Sequence, residues 1–141
     1  MHVRQATGSD AAALARLNEA FNGPGVADAA HIARSLEENR NEIVCIAEQD
    51  GAAVGFCCAQ ITESMCYPES SAEITERYVA PSARRRGAAT ALLRLAEQLC
   101  IGRGAAELRL LTGRDNAPAR ALYARMGYRP DDEAHYQKDA R

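Results

Sequence analysis

The sequence has no long apolar run, and this absence excludes a membrane-spanning helix of ordinary length. Its longest apolar stretch, residues 52–59, is far shorter than the ~20 residues that cross a bilayer. The first residues, Met-His-Val-Arg-Gln, lack the apolar core of a secretory signal peptide. We therefore expect a cytoplasmic protein with no membrane partner. No internal repeat or linker occurs, so the 141 residues fit a single domain, 1–141, with a useful core.

The patterns of metal sites and disulfide frameworks are also missing. Five cysteines make an odd count and no Cys-x-x-Cys pair occurs, so we expect neither zinc nor a disulfide scaffold. The three histidines are scattered, without the spacing of metal ligands. Three of the cysteines stand in apolar, strand-like segments, where a thiol acts as a small apolar filler: Cys45, Cys57 and Cys58. A catalytic cysteine is the minor alternative.

A cationic turn is the feature that carries most information. An apolar, strand-like run ends at Pro81, the turn Ser-Ala-Arg-Arg-Arg-Gly follows, and an amphipathic helix begins at once. A strand, a turn and a helix N-terminus in this order build an anion site, with unpaired amides at the positive end of the helix dipole. A pyrophosphate fits such a site. The motif is neither a Walker P-loop nor a Gly-x-Gly-x-x-Gly fingerprint, and an ordinary solvated loop is the alternative.

A second motif lies about thirty residues downstream. Residues 116–128 read Asn-x-x-Ala-x-x-Leu-Tyr-x-x-x-Gly-Tyr, and the turn itself reads Arg84-x-x-Gly87-x-Ala89. Together the two motifs resemble the GCN5-related N-acetyltransferase (GNAT) superfamily, in its acetyl-coenzyme A signature and its later helix. The resemblance implies acetyl-CoA as cosubstrate, transfer of an acetyl group to a primary amine by direct attack in a ternary complex, and a homodimer.

The hydrophobic pattern agrees with the fold that this resemblance implies. It predicts the order β-α-α-β-β-β-α-β-α-β, with a hairpin turn at residues 49–51, a strand at residues 107–112 and a final hairpin at about residues 128–138. Thr7 and Asp10 are a candidate capping pair before the first helix, and Ile32 and Leu36 are expected to point inward from the second. The expected fold is α/β, with a mixed, mostly antiparallel central sheet, splayed parallel strands and helices on both faces. The splay is expected between residues 73–79 and 107–111, where free backbone groups would bind the pantetheine arm.

Acetyl transfer needs a base for the amine, and two glutamates precede the turn. The resemblance favours Glu73, and strand alternation puts it on one face with Thr75, Arg77 and Val79. Glu76 would then point to the other face, and it remains the alternative base. A water wire can also replace a dedicated base, because general-base help is worth only ~10²–10⁴-fold.

The remaining roles also follow from the resemblance. Tyr123 matches the motif tyrosine, so it is expected to protonate the leaving thiolate, although a packed aromatic is the alternative. A backbone amide near Val79 is the expected oxyanion donor. Asn116 is expected to contact the cofactor arm, cap the next helix, or do both. The cofactor phosphates are assigned to the turn and the start of its helix: Arg84, Arg85, Arg86, Gly87, Ala88 and Ala89.

Charge gives the only hint about the acceptor. Residues 1–70 carry a net charge of −6 and residues 71–141 a net charge of +4. An anionic cosubstrate would suit the second half, and a cationic small-molecule amine the first. The alternatives are a protein amino terminus or lysine as acceptor, or a sensor that binds acetyl-CoA without turnover. Overall acidity speaks against a nucleic-acid partner.

Overall fold

The computed structural model describes residues 1–141 and divides them into two compact units, Met1–Leu111 and Thr112–Arg141. The first unit contains five strands and three helices, and the second contains one helix. In chain order they are β1 (His2–Gln5), α1 (Ala11–Asn22), α2 (Ala29–Glu38), β2 (Glu42–Gln49), β3 (Ala52–Thr62), β4 (Ser70–Val79), α3 (Ala88–Gly102), β5 (Ala105–Leu110) and α4 (Ala117–Arg125). No helix has both the length and the apolar composition needed to cross a bilayer.

The strands form one mixed sheet in the order β1-β2-β3-β4-β5, which confirms the expected fold class. The pairs from β1 to β4 are antiparallel, and β5 runs parallel to β4. The predicted hairpin joins β2 to β3 through Asp50 and Gly51, whose φ angles are +53° and +80°. Two successive left-handed residues match the twist of the flanking strands, so this turn fixes the register of the pair.

Helices cover both faces of the sheet. On one face, which we call the α1 face, Ile46 pairs with Phe56, and both pack against Leu14 and Leu17 of α1. None of these four side chains is more than 7% exposed, and each contributes about 1.5–3 kcal/mol through burial. The predicted inward residues of α2, Ile32 and Leu36, border the same cluster.

The opposite face packs against α3, and we call it the α3 face. Cys45 and Cys57 are paired across β2 and β3 and are fully buried there. Gly55 lies on this face, where a Cβ atom would stand 2.7 Å from the carbonyl oxygen of Tyr78 and 3.3 Å from Leu92 of α3. Only glycine therefore allows β3, β4 and α3 to approach this closely.

An ion-paired cluster fixes the start of α1 against the edge of the sheet. Arg4 of β1 donates two hydrogen bonds of 2.8 Å to the carboxylate of Asp10, and it also binds Glu48 of β2. Asp10 accepts a further hydrogen bond of 2.8 Å from the amide of Thr7, as the predicted capping pair requires. Asp10 is only 8% exposed, so its charge depends on these partners.

Two details of the predicted element order are wrong. Residues 128–138 contain no strand, so the expected final hairpin is absent. Pro130 and the acidic run that follows it have low strand propensity, which explains the difference. In addition, β5 begins and ends two residues earlier than the predicted strand at residues 107–112.

Candidate active site

The cationic turn leaves β4 at Val79 and reaches α3 at Ala88, as the sequence predicts. A 3₁₀ turn, Pro81–Ala83, is followed by Arg85 and Gly87 with φ angles of +63° and +84°. Gly87 is the residue that caps α3. A Cβ atom at Gly87 would have no neighbour within 4 Å, so its left-handed backbone, and not a lack of space, requires glycine.

Unpaired backbone amides surround this turn. The first hydrogen bond of α3 runs from the amide of Ala91 to the carbonyl oxygen of Gly87, at 3.0 Å. The amides of residues 85–90 have no hydrogen-bond partner, and no side chain caps the helix. These donors stand at the positive end of the α3 dipole, beside exposed arginines. The segment therefore has the donors and the field that bind a phosphate group.

Arg84 braces the turn against the strand that precedes it. Its Nε donates a hydrogen bond of 2.9 Å to the carbonyl oxygen of Val79. This hydrogen bond holds the Arg84 side chain against the end of β4. Arg85 and Arg86 are exposed and make no such contact. The three adjacent arginines therefore have different roles in the local structure, which the sequence alone does not distinguish.

The two parallel strands separate halfway along β4. The β4–β5 ladder runs from Ser70↔Ala105 to Ile74↔Leu110, and the rest of β4 pairs only with β3. The expected splay is therefore present, but it begins after Ile74. The prediction that it includes Glu73 is wrong, because Glu73 pairs with Arg109 inside the ladder.

The amide of Val79 points into this gap. The next amide, that of Ala80, donates to the carbonyl oxygen of Val54 in β3 at 2.7 Å. Because backbone groups of successive strand residues point to opposite edges, the N–H and C=O of Val79 point away from β3. The hydrogen bond from Arg84 to the Val79 carbonyl agrees with this direction. The same alternation directs the Arg77 amide into the gap, a donor that sequence reasoning missed.

A β-bulge at Thr75 changes which side chains share a face. Ile74 pairs with Ala59, and Glu76 pairs with the adjacent Cys58, so Thr75 is the extra residue. Its hydroxyl donates to the carbonyl oxygen of Cys58 at 3.3 Å. The predicted simple alternation is therefore wrong. The residues of β4 on the α1 face are Glu73, Glu76 and Tyr78, and those on the α3 face are Ile74, Arg77 and Val79.

The bulge brings Glu76 close to a second carboxylate that sequence reasoning missed. Burial raises the pKa of Glu76 above its usual range. Burial also raises the pKa of Glu42 in β2, and the nearby charge of Glu76 adds to this effect, although Gln60 donates a hydrogen bond of 3.0 Å to the Glu42 carboxylate. The register of β2, β3 and β4 is needed to find this neighbourhood, since the residues are far apart in sequence.

Three aromatic rings border the same face near the end of α1. The ring centroids of Phe21 and Tyr78 are 5.2 Å apart, and Phe56 lies 6.2 Å from each of them. Phe21 is 40% exposed, so one side of this group is open to solvent. Tyr78 directly precedes Val79, which places an aromatic surface beside the backbone that borders the gap.

The second unit contains the other two predicted site residues. The side chain of Asn116 caps α4, because its Oδ1 accepts a hydrogen bond of 3.2 Å from the amide of Ala119. This confirms the capping role. Tyr123 lies on α4, with its ring centroid 6.0 Å from that of Tyr128. The amide of Tyr128 also donates to the Tyr123 carbonyl oxygen at 2.9 Å, so local contacts fix the end of the helix.

Other residues considered in the sequence have less suitable surroundings. Burial raises the pKa of Cys45 and of Cys57 to about 12, so neither is a thiolate at neutral pH. Cys66 and Tyr67 are exposed in the β3–β4 loop. Tyr67 borders a surface pocket of about 530 Å³ with Arg103. This pocket lies at the start of β4, about 30 Å of strand away from Val79.

Comparison with known proteins identifies the family. Residues 12–128 match the Acetyltransferase (GNAT) family. The chain is 32% identical over 136 residues to the uncharacterized N-acetyltransferase YhfO of Bacillus subtilis (strain 168), covering 93% of this chain and 91% of that protein.

Two solved structures have a similar fold. One is the aminoglycoside acetyltransferase HMB0005 from an uncultured soil metagenomic sample, with 28% identity, a TM-score of 0.83 and coverage of 99% and 98% of the two chains. The other is AAC(6')-Iy in complex with the bisubstrate analog CoA-S-monomethyl-acetylneamine, with 23% identity, a TM-score of 0.82 and coverage of 98% and 97%. Because the family match and the Bacillus relative both span most of the chain, this protein belongs to the GNAT family and is an acetyltransferase.

Proposed function

We propose that this protein transfers the acetyl group of acetyl-CoA to a primary amine of a small molecule, by direct attack in a ternary complex. The observation that carries the proposal is the row of unpaired amides at residues 85–90, beside the open edge of β4. Acetyl-CoA has a diphosphate and a long arm that ends in the thioester. The unpaired amides suit the diphosphate, and the open edge of β4 suits the arm.

The groups available at the turn suit the charge of acetyl-CoA. Residues 85–90 supply N–H donors, and Arg85 and Arg86 supply positive charge. Arg84 keeps the turn in place, and Gly87, Ala88 and Ala89 let a phosphate approach the backbone without large side chains. The Val79 amide points into the gap, and we propose that it donates to the thioester oxygen as negative charge develops there. Asn116 is predicted to contact the cofactor arm through its amide nitrogen, since the helix cap uses only Oδ1.

A small cationic amine is the acceptor class that the observations favour. Residues 1–70, which include α1, α2 and the strands β1 to β3, carry a net charge of −6. HMB0005 is an aminoglycoside acetyltransferase, and the analog bound to AAC(6')-Iy joins CoA to a neamine derivative. Aminoglycosides and polyamines are both small polycations, so either would suit an acidic acceptor surface.

The chemical roles of the side chains remain predictions. The amine nitrogen forms a bond to the carbonyl carbon of the thioester, and the C–S bond then breaks. A carboxylate of β4 takes the proton that frees the amine lone pair, and the sequence favours Glu73 over Glu76 for this role. Tyr123 is predicted to protonate the leaving thiolate, and the proton that the nitrogen loses on acylation restores the phenol.

An amine panel tests the proposal. The purified protein is mixed with acetyl-CoA and with neamine, spermidine or a peptide with an amino-terminal alanine, and the free thiol is measured. We expect thiol release with at least one of the two small amines. Release with the peptide alone would favour the protein-acetylating alternative. Binding of acetyl-CoA without thiol release from any amine would favour the sensor.

We also propose three properties of the whole protein. Residues 1–141 form a single domain, the protein is a homodimer, as the family resemblance implies, and it acts in the cytoplasm. Light scattering after gel filtration measures the mass, and a single cooperative unfolding transition is expected of one domain. A monomeric mass would remove the homodimer from this proposal.

A further inference from the structure

The base that is favoured from the sequence is distant from the proposed oxyanion donor. Six residues separate Glu73 from Val79, which corresponds to about 20 Å of strand, whereas three residues, about 10 Å, separate Glu76 from Val79. In direct transfer, three contacts of about 3 Å each link the oxyanion donor to the base. The donor amide contacts the carbonyl oxygen of the thioester, the amine nitrogen contacts the carbonyl carbon, and the carboxylate of the base contacts the amine. The sum of these contacts is close to the distance of about 10 Å between Glu76 and Val79, whereas Glu73 would need a chain of waters to reach the amine.

The bulge is what turns Glu76 towards this face. In a regular strand Glu76 would share the face of Ile74, which is 5% exposed, and would point into the apolar layer under α3. Burial of an unpaired carboxylate there would be costly. The extra residue, Thr75, instead moves Glu76 to the α1 face, two residues after the last rung of the β4–β5 ladder. Bulges that redirect side chains in this way are common beside active sites.

Glu76 also has the surroundings of a reactive carboxylate. It is partly buried, and its side chain forms no hydrogen bond or ion pair with another residue. Its neighbours on the face are Cys58 across the strand pair, Tyr78 along the strand and the second carboxylate, Glu42. Burial raises its pKa, which makes it a stronger base than an exposed glutamate. Glu73, by contrast, lies in the paired part of β4, beside Arg109.

We propose that Glu76 is the catalytic base, and that it meets the acceptor amine at the edge of the gap between β4 and β5. The assignment rests on the proposed function. The carboxylate of Glu76 takes one proton from the ammonium form of the acceptor and later releases it to solvent. The freed lone pair forms the C–N bond, the C–S bond breaks, and the thiolate is protonated, so one proton is released per turnover.

Three neutral substitutions test this assignment: Glu76→Gln, Glu73→Gln and, as a matched control, Glu38→Gln at the exposed end of α2. Each variant is assayed for thiol release with the small amine that the wild type uses best, and for acetyl-CoA binding by calorimetry. We expect Glu76→Gln to lower kcat by about 10²–10⁴-fold with an unchanged Kd for acetyl-CoA, and Glu76→Asp to recover part of the loss. We expect Glu73→Gln to lower kcat by less than about tenfold.

The outcomes separate this inference from the proposed function. If the wild type turns over and Glu76→Gln keeps kcat within about twofold, Glu76 is not the base, whatever Glu73→Gln does. If Glu76→Gln loses both turnover and acetyl-CoA binding while Glu76→Asp recovers neither, its role is structural and the assignment is overturned. If the wild type releases no thiol with any amine, the proposed function itself fails, and the assignment fails with it.

Discussion

The Nε atom of Arg84 lies 2.9 Å from the carbonyl oxygen of Val79, and this hydrogen bond joins the anion-binding turn to the last residue of β4. The two residues are five positions apart, with the turn Pro81–Ala83 between them. The contact therefore couples the amides proposed for the diphosphate to the amide proposed for the thioester. A displacement at either end would change the distance between the two sites.

Removal of this contact should weaken acetyl-CoA binding. We expect Arg84→Met to raise the Kd for acetyl-CoA by about tenfold, because the turn loses one charge-assisted hydrogen bond. Calorimetry in low and high salt measures the effect. Arg86→Met is the matched control, since Arg86 is exposed and its contribution should fall as salt screens it. Equal salt dependence of the two variants would argue against a bracing role for Arg84.

Gly87 should be needed for its backbone conformation. At a φ angle of +84°, an alanine costs about 1–2 kcal/mol and a β-branched valine costs more. The backbone at the start of α3 would change its conformation to relieve this strain, and the amides proposed to bind the diphosphate would move with it. We therefore expect Gly87→Val to abolish detectable acetyl-CoA binding and Gly87→Ala to weaken it at least tenfold. Gly102→Ala, at the other end of α3, is the control, because Gly102 has neither a positive φ nor close neighbours. Normal binding by Gly87→Val would contradict the anion-site model.

Tyr123→Phe should separate binding from chemistry. The substitution keeps the ring that lies 6.0 Å from Tyr128 and removes only the hydroxyl. We expect a kcat that is lower by about 10²-fold or more, with an unchanged Kd for acetyl-CoA. The measurement is thiol release under saturating acetyl-CoA. A kcat equal to that of the wild type would remove Tyr123 from the acid role.

The Asp10 cluster predicts how stability depends on pH. Hydrogen bonds from Arg4 lower the pKa of Asp10 from 3.8 to about 2, so the folded state binds this proton more weakly than the unfolded state. The difference contributes about 2 kcal/mol of stability above pH 4, and this contribution is lost as the pH falls towards 2. Urea unfolding of the wild type and of Asp10→Asn measures it. The two curves should differ by about 2 kcal/mol at pH 7 and converge near pH 2, and a constant difference would contradict the assignment.

The sequence predicts the parts of the fold that depend on local pattern. The capping pair of Thr7 and Asp10, the hairpin at Asp50 and Gly51, and the turn before α3 all depend on residues that are near neighbours in sequence. The order of strands also follows, since apolar runs and turn signals alternate regularly. The final hairpin fails because Gly127-Tyr128 looks like the start of a strand, but Pro130 and the acidic residues after it have low strand propensity.

The arrangement of the site depends on long-range pairing, and the sequence predicts it less well. A simple alternation separates Glu73 from Glu76, but the bulge at Thr75 brings them to one face. The neighbourhood of Glu42 and Glu76 depends on the register of three strands, which no local pattern specifies. Likewise, the bond between Arg84 and Val79 depends on the path of the turn. The directions of these side chains therefore could not be predicted from the sequence, and their roles in the reaction stay predictions.

The most direct measurement is a calorimetric titration of the wild-type protein with acetyl-CoA and with S-acetylpantetheine, which carries the same thioester but no diphosphate. If the amides of residues 85–90 hold the diphosphate, acetyl-CoA binds at least about 100-fold more tightly, a difference of about 2.7 kcal/mol. Equal affinities for the two compounds, or no heat with acetyl-CoA at saturating concentration, would contradict the account.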